Sequence, residues 1–402
     1  MNVLDKSALR ECTSCQLCGA VCPKNAIKIE LNVDGYYRPI VNDELCIDCG
    51  ICTKVCYKFD EQLKMSLEAD MEKYPLYAAW AKDDELVKQT TSGGIGDLLA
   101  QELIVEGYKV VGVVYNDEKV RAEHTIATTE DETIPFRGSK YIQSYTLDAM
   151  REVVKNCRNE KYAVFGTPCQ IYSLSKLASM KKVRDNFVFV DLYCHGCPSL
   201  FVWKKYQDYI KQKLNISKFD KVEFRSKVKG WGAFYVVVVV DGRPVFVSNP
   251  KEDGFYELFF SDQVLNDGCQ DCKLRGTLEY TDIRLGDFWG KKFLDNHRGV
   301  SGVSLSSDRG KKVFEKIIRN LDTQKCSYSE FLPYQRWGRE YHPNTKAREA
   351  ILASLQDGSQ TIDDAVRAFR KHQSAAGKIK RHIKNILYYL PIGCTTFLKK
   401  FV

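Results

Sequence analysis

Two cysteine runs near the start of the chain have the spacing that binds iron–sulfur clusters. Cys12 opens the pattern C-x2-C-x2-C-x3-C-P, and Cys46 opens a second run with the same cysteine spacing 34 residues later. In such runs three thiolates on one tight loop bind one cubane, while the fourth cysteine binds the other cluster. The spacing therefore predicts two [4Fe-4S] clusters, with the ligand sets Cys12, Cys15, Cys18 and Cys56, and Cys46, Cys49, Cys52 and Cys22.

Zinc is the alternative metal for a cysteine-rich segment. Structural zinc sites use two Cys-x2-Cys pairs about 15 to 20 residues apart, whereas this segment has two runs of four cysteines. The sequence therefore favours clusters, and the segment resembles the bacterial two-cluster ferredoxin domain, a relay for single electrons. One departure is Tyr57, which follows Cys56 where Pro23 follows Cys22 in the first run. It changes no ligand.

Further cysteines occur in three loops of the main body. These loops are Gly166-Thr-Pro-Cys169-Gln170, Cys194-His-Gly-Cys197-Pro198 and Cys269-Gln-Asp-Cys272. The first two follow predicted strands, and ligands of α/β sheets collect beyond the carboxyl ends of strands. A third four-thiolate site is expected from Cys169, Cys194, Cys269 and Cys272. Taken singly, each cysteine fits a buried structural role equally well.

Two glycine-containing loops carry residue types suited to a phosphate and a flat ring. The loop Thr90–Asp97 (TTSGGIGD) precedes an apolar helical pattern, so its N–H groups would face an anion at a helix N-terminus. The turn Phe136–Tyr141 (FRGSKY) combines a hydroxyl, two cations and an aromatic ring. Without further support, the first is equally an ordinary capped loop and the second a solvated loop.

Strand and helix patterns alternate around these loops. Buried strands are predicted at Tyr108–Tyr115, Lys161–Phe165 and Asn186–Tyr193, and helices near Ile171–Ala178 and Leu200–Leu214. A more antiparallel group of strands follows at Lys221–Arg225, Ala233–Val240, Val245–Ser248 and Tyr280–Leu285. The consecutive valines within it predict a sheet that is covered on both faces.

Composition and charge exclude several classes of protein. The chain has 402 residues, of which 44% are hydrophobic and 28% charged, so it is neither disordered, collagenous nor an integral membrane protein. Eight of 16 cysteines precede residue 57 and no export signal is visible, which predicts a reducing cytoplasm. Nine basic and no acidic residues after position 365 account for the net charge of +8. The body is neutral, so no nucleic-acid partner is expected.

Together the body motifs resemble the beta-subunit family of coenzyme F420 hydrogenases and dehydrogenases, from about Tyr77 to Glu330. The motifs that carry the resemblance are Thr91-Ser-Gly-Gly94, Gly138-Ser-Lys-Tyr-Ile-Gln-Ser144, Gly166-Thr-Pro-Cys-Gln170, Cys194-His-Gly with Pro198-Ser199, Phe224-Arg-Ser-Lys227 with Gly230-Trp231, Cys269-x-x-Cys272, and Asp282-Ile-Arg-Leu-Gly-Asp287-Phe-Trp289. The resemblance implies a third [4Fe-4S] cluster near FAD. It implies FAD contacts from Thr91, Ser92, Gly93, Gly94, Gly138, Ser139, Lys140 and Tyr141. Cys197 departs from the family pattern and is the alternative ligand to Cys194.

These features predict four segments. They are a two-cluster ferredoxin domain over 1–62, the N-terminal part of the family body over 75–150, its C-terminal FAD and cluster part over 151–330, and a helical basic tail over 331–402. The expected fold class is α+β to α/β, with a small ferredoxin-like domain before a mixed-sheet, flavin-binding body. The basic amphipathic pattern of Lys378–Leu390 would dock on an acidic membrane surface, a partner or the body itself.

The expected function couples electron transfer to hydride chemistry. Clusters pass single electrons, and a flavin converts between single electrons and hydride. Ferredoxin or another electron-transfer protein would exchange electrons with the clusters, and FAD would exchange hydride with a small organic substrate. One alternative is an input subunit that oxidises or reduces F420 within a larger complex. Another is a relay module with no substrate of its own.

Three polar side chains are candidates for substrate chemistry. His195, beside a cluster cysteine, would donate a proton or act as a hydrogen-bonded structural histidine. Arg225 and Lys227 would bind an acidic substrate or lie on a solvated strand face. The cysteines outside any motif are predicted to be structural: Cys157, Cys326 and Cys394.

Overall fold

The computed structural model describes residues 2–4, 11–249, 253–379 and 383. The strands, in chain order, are β1 (Ile27–Leu31), β2 (Tyr37–Val41), β3 (Leu76–Ala81), β4 (Lys109–Asn116), β5 (Arg121–Ala127), β6 (Ser144–Tyr145), β7 (Tyr162–Phe165), β8 (Phe187–Leu192), β9 (Lys221–Ser226), β10 (Tyr235–Val240), β11 (Arg243–Val247), β12 (Ile283–Asp287), β13 (Ser301–Leu305) and β14 (Leu321–Cys326).

The α-helices are short to medium in length. In chain order they are α1 (Leu17–Ala20), α2 (Ile51–Lys54), α3 (Asp84–Gln89), α4 (Ile95–Val105), α5 (Leu147–Asn156), α6 (Pro168–Met180), α7 (Leu200–Leu214), α8 (Gly254–Phe259), α9 (Asp308–Ile317), α10 (Tyr328–Phe331), α11 (Thr345–Gln356) and α12 (Ile362–Lys371). In the part of the chain that the structure describes, none is long and apolar enough to cross a bilayer.

A nine-stranded mixed sheet forms the centre of the body. Its strand order is β14-β3-β13-β12-β8-β7-β4-β5-β6. The four central strands β12, β8, β7 and β4 run parallel, and antiparallel neighbours extend the sheet on both sides. β9, β10 and β11 form a separate antiparallel sheet, and β1 pairs with β2 in a hairpin. The predicted mixed α/β body is confirmed.

Alternation along β8 explains why helices cover both faces of the large sheet. Phe187 and Phe189 enter a core that includes residues of α5, α6 and α7, whereas Val188 and Val190 enter a second core with residues of α4 and α9. Successive strand residues point to opposite faces, so a strand buried on both sides reads as a continuous apolar run. The carboxyl ends of β7 and β8 then lead into the loops that carry the body cysteines.

The N-terminal domain is fixed to the body by hydrogen bonds from its first cysteine loop and from β2. The Gln16 amide donates to the Ser144 carbonyl (2.8 Å) and accepts from the Thr146 backbone N–H (2.9 Å). The Arg38 guanidinium donates to the Asn266 side chain (3.0 Å). Gln16, Arg38, Thr146 and Asn266 are buried, and buried polar groups are costly unless they are paired.

The basic tail is described only in part. Thr361 begins α12 through a reciprocal cap with Asp364, which accepts from the Thr361 backbone N–H at 2.8 Å. Of the amphipathic segment predicted over Lys378–Leu390, residues 380–382 and 384–390 lie outside the described residues. Cys394 lies outside them as well. The docking role of the tail stays a prediction.

His124 on β5 makes folding sensitive to mild acid. Its imidazole is buried, and burial lowers its pKa to about 4. An unfolded histidine titrates near pH 6.5, so between about pH 6.5 and 4 the unfolded chain binds the extra proton and folding loses free energy as pH falls. Between pH 7 and 5 we expect the wild-type chain to lose about 2 kcal/mol more than His124→Phe, measured as the free energy of unfolding in urea. Equal losses would contradict this assignment.

Candidate iron–sulfur and cofactor site

The first cysteine set lines one cavity of the N-terminal domain. The walls include Cys12, Cys15, Cys18 and Cys56, the four ligands predicted for the first cluster. The backbone N–H of Ser14 donates to the Cys12 sulfur at 3.4 Å, and the Ser173 hydroxyl lies 3.9 Å from the Cys15 sulfur. A cysteine of the second motif thus lies in the same cavity as three cysteines of the first motif.

The second set lines a separate cavity in the same way. Its walls include Cys22, Cys46, Cys49 and Cys52, so the fourth cysteine of the first motif joins three of the second. The backbone N–H of Ala26 donates to the Cys22 sulfur at 3.3 Å. The structure therefore brings together both ligand sets that the spacing predicts.

The two cysteine loops share a backbone conformation that suits an anionic cluster. Ser14 and Gln16 have left-handed φ angles of 64° and 66°, and Asp48 and Gly50, at the equivalent positions, have 51° and 69°. Alternation of right- and left-handed residues turns successive N–H groups toward one side and creates the concave anion sites found around many clusters. The duplication in sequence is thus also a duplication in backbone geometry.

The third set assembles from three loops of the body. Cys169 lies in the first turn of α6, which Pro168 begins and which a reciprocal cap between Thr167 and Gln170 fixes. Cys269 and Cys272 lie close enough to Cys169 to raise the pKa of its thiol further, and Cys272 has the same effect on the pKa of Cys269. Cys194 follows β8, and the neighbouring side chain that raises its pKa most is Cys272. The expected set of Cys169, Cys194, Cys269 and Cys272 is therefore close in space.

Cys197 lies in the same group as Cys194. Its strongest thiolate neighbour is Cys269, and its backbone N–H donates to the Cys269 sulfur. Its other ionisable neighbours are Cys194 and, in the N-terminal domain, Arg38. Cys194 faces Cys272 instead, so each of the two thiols has one partner in the C-x2-C loop, and the choice of ligand remains between them.

Burial sets the protonation of these thiols. It raises the pKa of Cys15 and Cys194 to about 11 and that of Cys56 and Cys269 to about 12. Without metal they are therefore neutral at pH 7, whereas iron binds the thiolate and releases the proton. In the described part of the chain, no three His, Cys, Asp or Glu side chains are grouped closely enough to hold a single metal ion.

The three sets are arranged in series. Cys52 of the second set acts electrostatically on Cys18 of the first. Cys15 of the first set acts on Cys169 of the third, and the Cys15 sulfur also neighbours Ser173, one turn after Cys169 on α6. The order second, first, third leads from the N-terminal domain into the body.

Tyr57 and Gly268 hold the N-terminal domain against the third set. The Tyr57 hydroxyl donates to the Gly268 carbonyl at 3.2 Å and also contacts Cys272. A Cβ on Gly268 would stand 2.1 Å from the carbonyl oxygen of Glu11, so only glycine allows these two segments of the chain to approach here. The tyrosine that replaces proline in the second run is therefore an interdomain contact, which the spacing of the cysteines did not predict.

The two predicted cofactor loops meet. The Ser139 backbone N–H donates to the Thr91 hydroxyl at 2.7 Å. Gly94, the N-cap residue immediately before α4, has a φ of 83°, and Gly138 has a φ of 80° with open space where a Cβ would stand. Gly93 has a structural role in addition, because a Cβ there would lie 2.4 Å from the Ala79 carbonyl of β3.

The lysines near these loops point toward backbone carbonyls. Lys140 donates to the carbonyls of the preceding turn, namely those of Pro135, Phe136 and Arg137. Lys227 donates to the carbonyls of Val87 and Ser92, at 2.6 and 2.5 Å. Burial lowers the pKa of both lysines to about 7, and a phosphate bound nearby would favour their charged forms.

Arg225 is buried in a group of rings, here called the aromatic cluster, rather than lying on a solvated strand face. The rings of this cluster are those of Tyr141, Phe234, Phe259 and Trp289. Its guanidinium donates to Asp287 at 2.6 Å and to the Tyr141 hydroxyl at 3.3 Å. The same group lies 4.5 Å from the ring centroid of Phe234 and 4.8 Å from that of Trp289. The ring of Tyr141, at the end of the predicted cofactor turn, is thus fixed by charge and by aromatic contacts.

His195 connects the third cysteine set to this aromatic cluster. Its ring stacks on Phe259 with centroids 4.9 Å apart, and Phe259 lies 5.4 Å from Tyr141. Its Nε2 lies 2.9 Å from a carboxylate oxygen of Asp262, off the line of a hydrogen bond. Its backbone carbonyl accepts from the Tyr341 hydroxyl at 2.8 Å. The ring is held from several sides, as a structural histidine would be.

A buried ion pair behind the third set was not predicted. Arg284 donates to both carboxylate oxygens of Asp191, at 2.8 and 2.6 Å, and neither side chain is exposed to solvent. Arg284 also donates to the carbonyl of Arg275 at 3.4 Å, in the loop after Cys272. The local sequence Asp191-Leu-Tyr193 carries no pattern that predicts pairing with a distant arginine.

Three cysteine sets in series, two in a small domain and one in an α/β body, define an iron–sulfur electron-transfer protein. The family described as "Coenzyme F420 hydrogenase/dehydrogenase, beta subunit" matches the chain in two parts, its N-terminal part at residues 76–151 and its C-terminal part at residues 159–329. A "4Fe-4S dicluster domain" matches residues 11–60. The chain therefore belongs to the coenzyme F420 hydrogenase/dehydrogenase beta-subunit family, as its motifs predicted, and carries a dicluster domain at its N-terminus.

Individual relatives are similar to the chain at low identity. An uncharacterized protein of Methanocaldococcus jannaschii is 24% identical over 342 residues, which are 77% of this chain and 87% of that protein. The coenzyme F420 hydrogenase subunit beta of Methanothermobacter thermautotrophicus is 26% identical over 254 residues, 60% of this chain and 80% of that protein. A chain of the F420-reducing [NiFe] hydrogenase complex from Methanosarcina barkeri matches with a TM-score of 0.45 and 19% identity, over 78% of this chain and 94% of that one.

Proposed function

We propose that the chain is an FAD-containing oxidoreductase that passes electrons between its [4Fe-4S] clusters and FAD, with hydride transfer to or from a small organic substrate. The observation that supports this most is that the cysteine sets and the aromatic residues form one continuous series of neighbours. The three cysteine sets follow one another, and His195 and Phe259 then lead from Cys194 to Tyr141 in the predicted cofactor turn.

The residues around Thr91 fit the phosphates of a dinucleotide. Thr91 and Ser139 offer hydroxyl groups at the junction of the two loops, and Gly138 leaves room beside them, whereas the Ser92 hydroxyl already donates to the Val300 carbonyl at 2.9 Å. Lys227 lies against the Ser92 carbonyl, and a phosphate bound at the junction would favour its charged form. When bound there, FAD would supply the exchange between single electrons and hydride that clusters alone cannot perform.

The aromatic cluster fits a flat ring system. Tyr141, Phe234 and Trp289 surround the Arg225 guanidinium, and Asp287 neutralises that charge. Aromatic faces exclude water from their neighbourhood, which protects a reduced ring from side reactions. We assign Arg225 a positioning role in this cluster, and we assign His195 a structural role between the cluster loop and Phe259.

Coenzyme F420 is the first substrate to test. The chain belongs to a family whose members include F420 hydrogenase beta subunits, and one such subunit is 26% identical to it. Mixing the reduced protein with F420, or the oxidised protein with reduced F420, under anaerobic conditions would reveal the reaction as a change in F420 absorbance. The absence of any reaction would remove F420 from the proposal and leave another organic substrate.

Cofactor content tests the proposal directly. Protein purified without oxygen should contain about twelve irons, four for each cluster, and about one FAD per chain. Thr91→Val removes the acceptor of the Ser139 N–H and should weaken FAD binding by about fivefold, because one hydrogen bond contributes about 1 kcal/mol. Flavin fluorescence titration of the stripped protein measures this loss.

The matched control for this variant is Thr129→Val, an exposed threonine in the neighbouring turn that should leave FAD affinity unchanged. If both variants bind FAD like the wild-type chain, the junction of the two loops is not the dinucleotide site. About eight irons and no flavin after reconstitution would confine the redox chemistry to the N-terminal domain.

A further inference from the structure

We propose that the segment Asn42–Cys49, here called the port loop, is the docking surface for a one-electron carrier protein with a basic face. The inference rests on the proposed electron relay and names the kind of partner that exchanges electrons with it. It concerns the second cysteine set, which stands at the outer end of the series.

The port loop is where the relay reaches the surface. Cys49 is the one residue classed as exposed among the described cysteines. The first set lies between the second and third sets, and the third lies within the body. An electron that arrives from another protein crosses the shortest path where a ligand approaches solvent. The second set is therefore the entry or exit point.

Two apolar side chains of the port loop precede this exposed cysteine. Leu45 and Ile47 are 49% and 58% exposed, although both belong to a well-defined turn. The Asn42 side chain accepts from the Glu44 backbone N–H at 2.9 Å, and its carbonyl accepts from Cys46 at 3.0 Å, so the turn presents the two side chains in a fixed arrangement. Electron-transfer complexes use small interfaces with an apolar centre and a polar rim.

The charge around the port loop selects the partner. Asp43, Glu44 and Asp48 are all exposed, and no basic residue occurs between Asn42 and Cys52. Lys24, which directly follows the first motif, lines the cavity of the second set together with Asp48, so among the described residues of this loop and cavity acidic side chains outnumber basic ones. Opposite charge on a partner accelerates encounter, and like charge suppresses it. A carrier with an acidic docking face would be repelled, and one with a basic face attracted.

Stopped-flow electron transfer from the anaerobically reduced full chain to cytochrome c, which presents a ring of lysines, tests this. The double substitution Asp43→Lys/Glu44→Lys should slow the second-order rate by about tenfold at low ionic strength, and salt should shrink the difference. Leu45→Ser/Ile47→Ser should slow the reaction by a factor that salt does not remove. Ferricyanide, a small anion that needs no docking surface, should react no more slowly with the charge-reversed variant.

The control is Asp322→Lys, an exposed acid on the edge strand β14 of the body, which should leave the cytochrome c rate within about twofold of the wild-type rate. Unchanged rates in both port-loop variants, with full iron content, would overturn the docking surface alone. Equal slowing by Asp322→Lys would do the same, because general charge would then explain the effect. Fewer than about eight irons in the wild-type chain would overturn the relay and the docking surface together.

Discussion

Replacing Cys269 and Cys272 together by alanine should lower the iron content from about twelve to about eight per chain. The two thiols form the C-x2-C loop that interacts with both Cys169 and Cys194, so their loss removes half of the third ligand set. The clusters of the N-terminal domain should persist, because their eight ligands line two other cavities. Iron and acid-labile sulfide analysis, with electron paramagnetic resonance of the reduced protein, measures the change.

Flavin reduction through the clusters should be lost in the same double variant. The third set is the step between Cys15 and the aromatic cluster, so electrons would still enter the N-terminal domain but would stop there. Cys157→Ala and Cys326→Ala are the controls. Cys157 donates to the Val154 carbonyl and Cys326 contacts Lys292, and neither lies in a predicted set. Unchanged iron in the double variant would refute the third site.

Single alanine variants show whether Cys194 or Cys197 is the remaining ligand of the third cluster. If Cys194 is the ligand, Cys194→Ala should lose about four irons and Cys197→Ala none, and the reverse holds if Cys197 is the ligand. The neighbours of the two thiols differ, since Cys194 faces Cys272 and Cys197 faces Cys269 and Arg38. Equal loss from both would mean that the loop, rather than one thiol, determines assembly.

Cysteine spacing predicted much of the site because cluster ligation is local. Three ligands of each N-terminal cluster lie within seven residues, so a sequence motif carries most of the geometry. The third site needed three distant loops, and their order along β7 and β8 indicated where two of them would lie. Tyr57, Gly268 and the interdomain clamp of Gln16 could not be predicted, because each depends on how two domains meet.

The strands also divide into those that the sequence predicts and those that it does not. The valine-rich runs of β4 and β10 were predicted to within two residues, and Val236, Val237 and Val238 are buried on both faces as expected. β3 and β14 gave no signal. β3 is rich in alanine, and β14 has the sequence LDTQKC, which suits an exposed edge. Both strands form because they pair with neighbouring strands of the sheet, and strand propensity depends strongly on such context.

Arg284→Met should destabilise the protein by about 3 to 5 kcal/mol, because it leaves the Asp191 carboxylate buried without its partner. The loss should grow as pH rises. Burial already raises the pKa of Asp191 even with Arg284 beside it. Without the arginine, the folded chain holds the neutral acid and loses stability as pH climbs from the unfolded pKa near 3.8 through the raised folded value. Urea midpoints at pH 5.5 and 8 measure this.

The double variant Asp191→Leu/Arg284→Met is the decisive control. Removing both charges should recover most of the lost stability, since a buried ion pair and an apolar pair of similar volume differ little. Iron content then separates two roles of Arg284. If stability recovers but about four irons are missing, the hydrogen bond from Arg284 to the Arg275 carbonyl also holds the loop of Cys272. If the double variant is as unstable as Arg284→Met, the uncompensated carboxylate is not the cause of the loss.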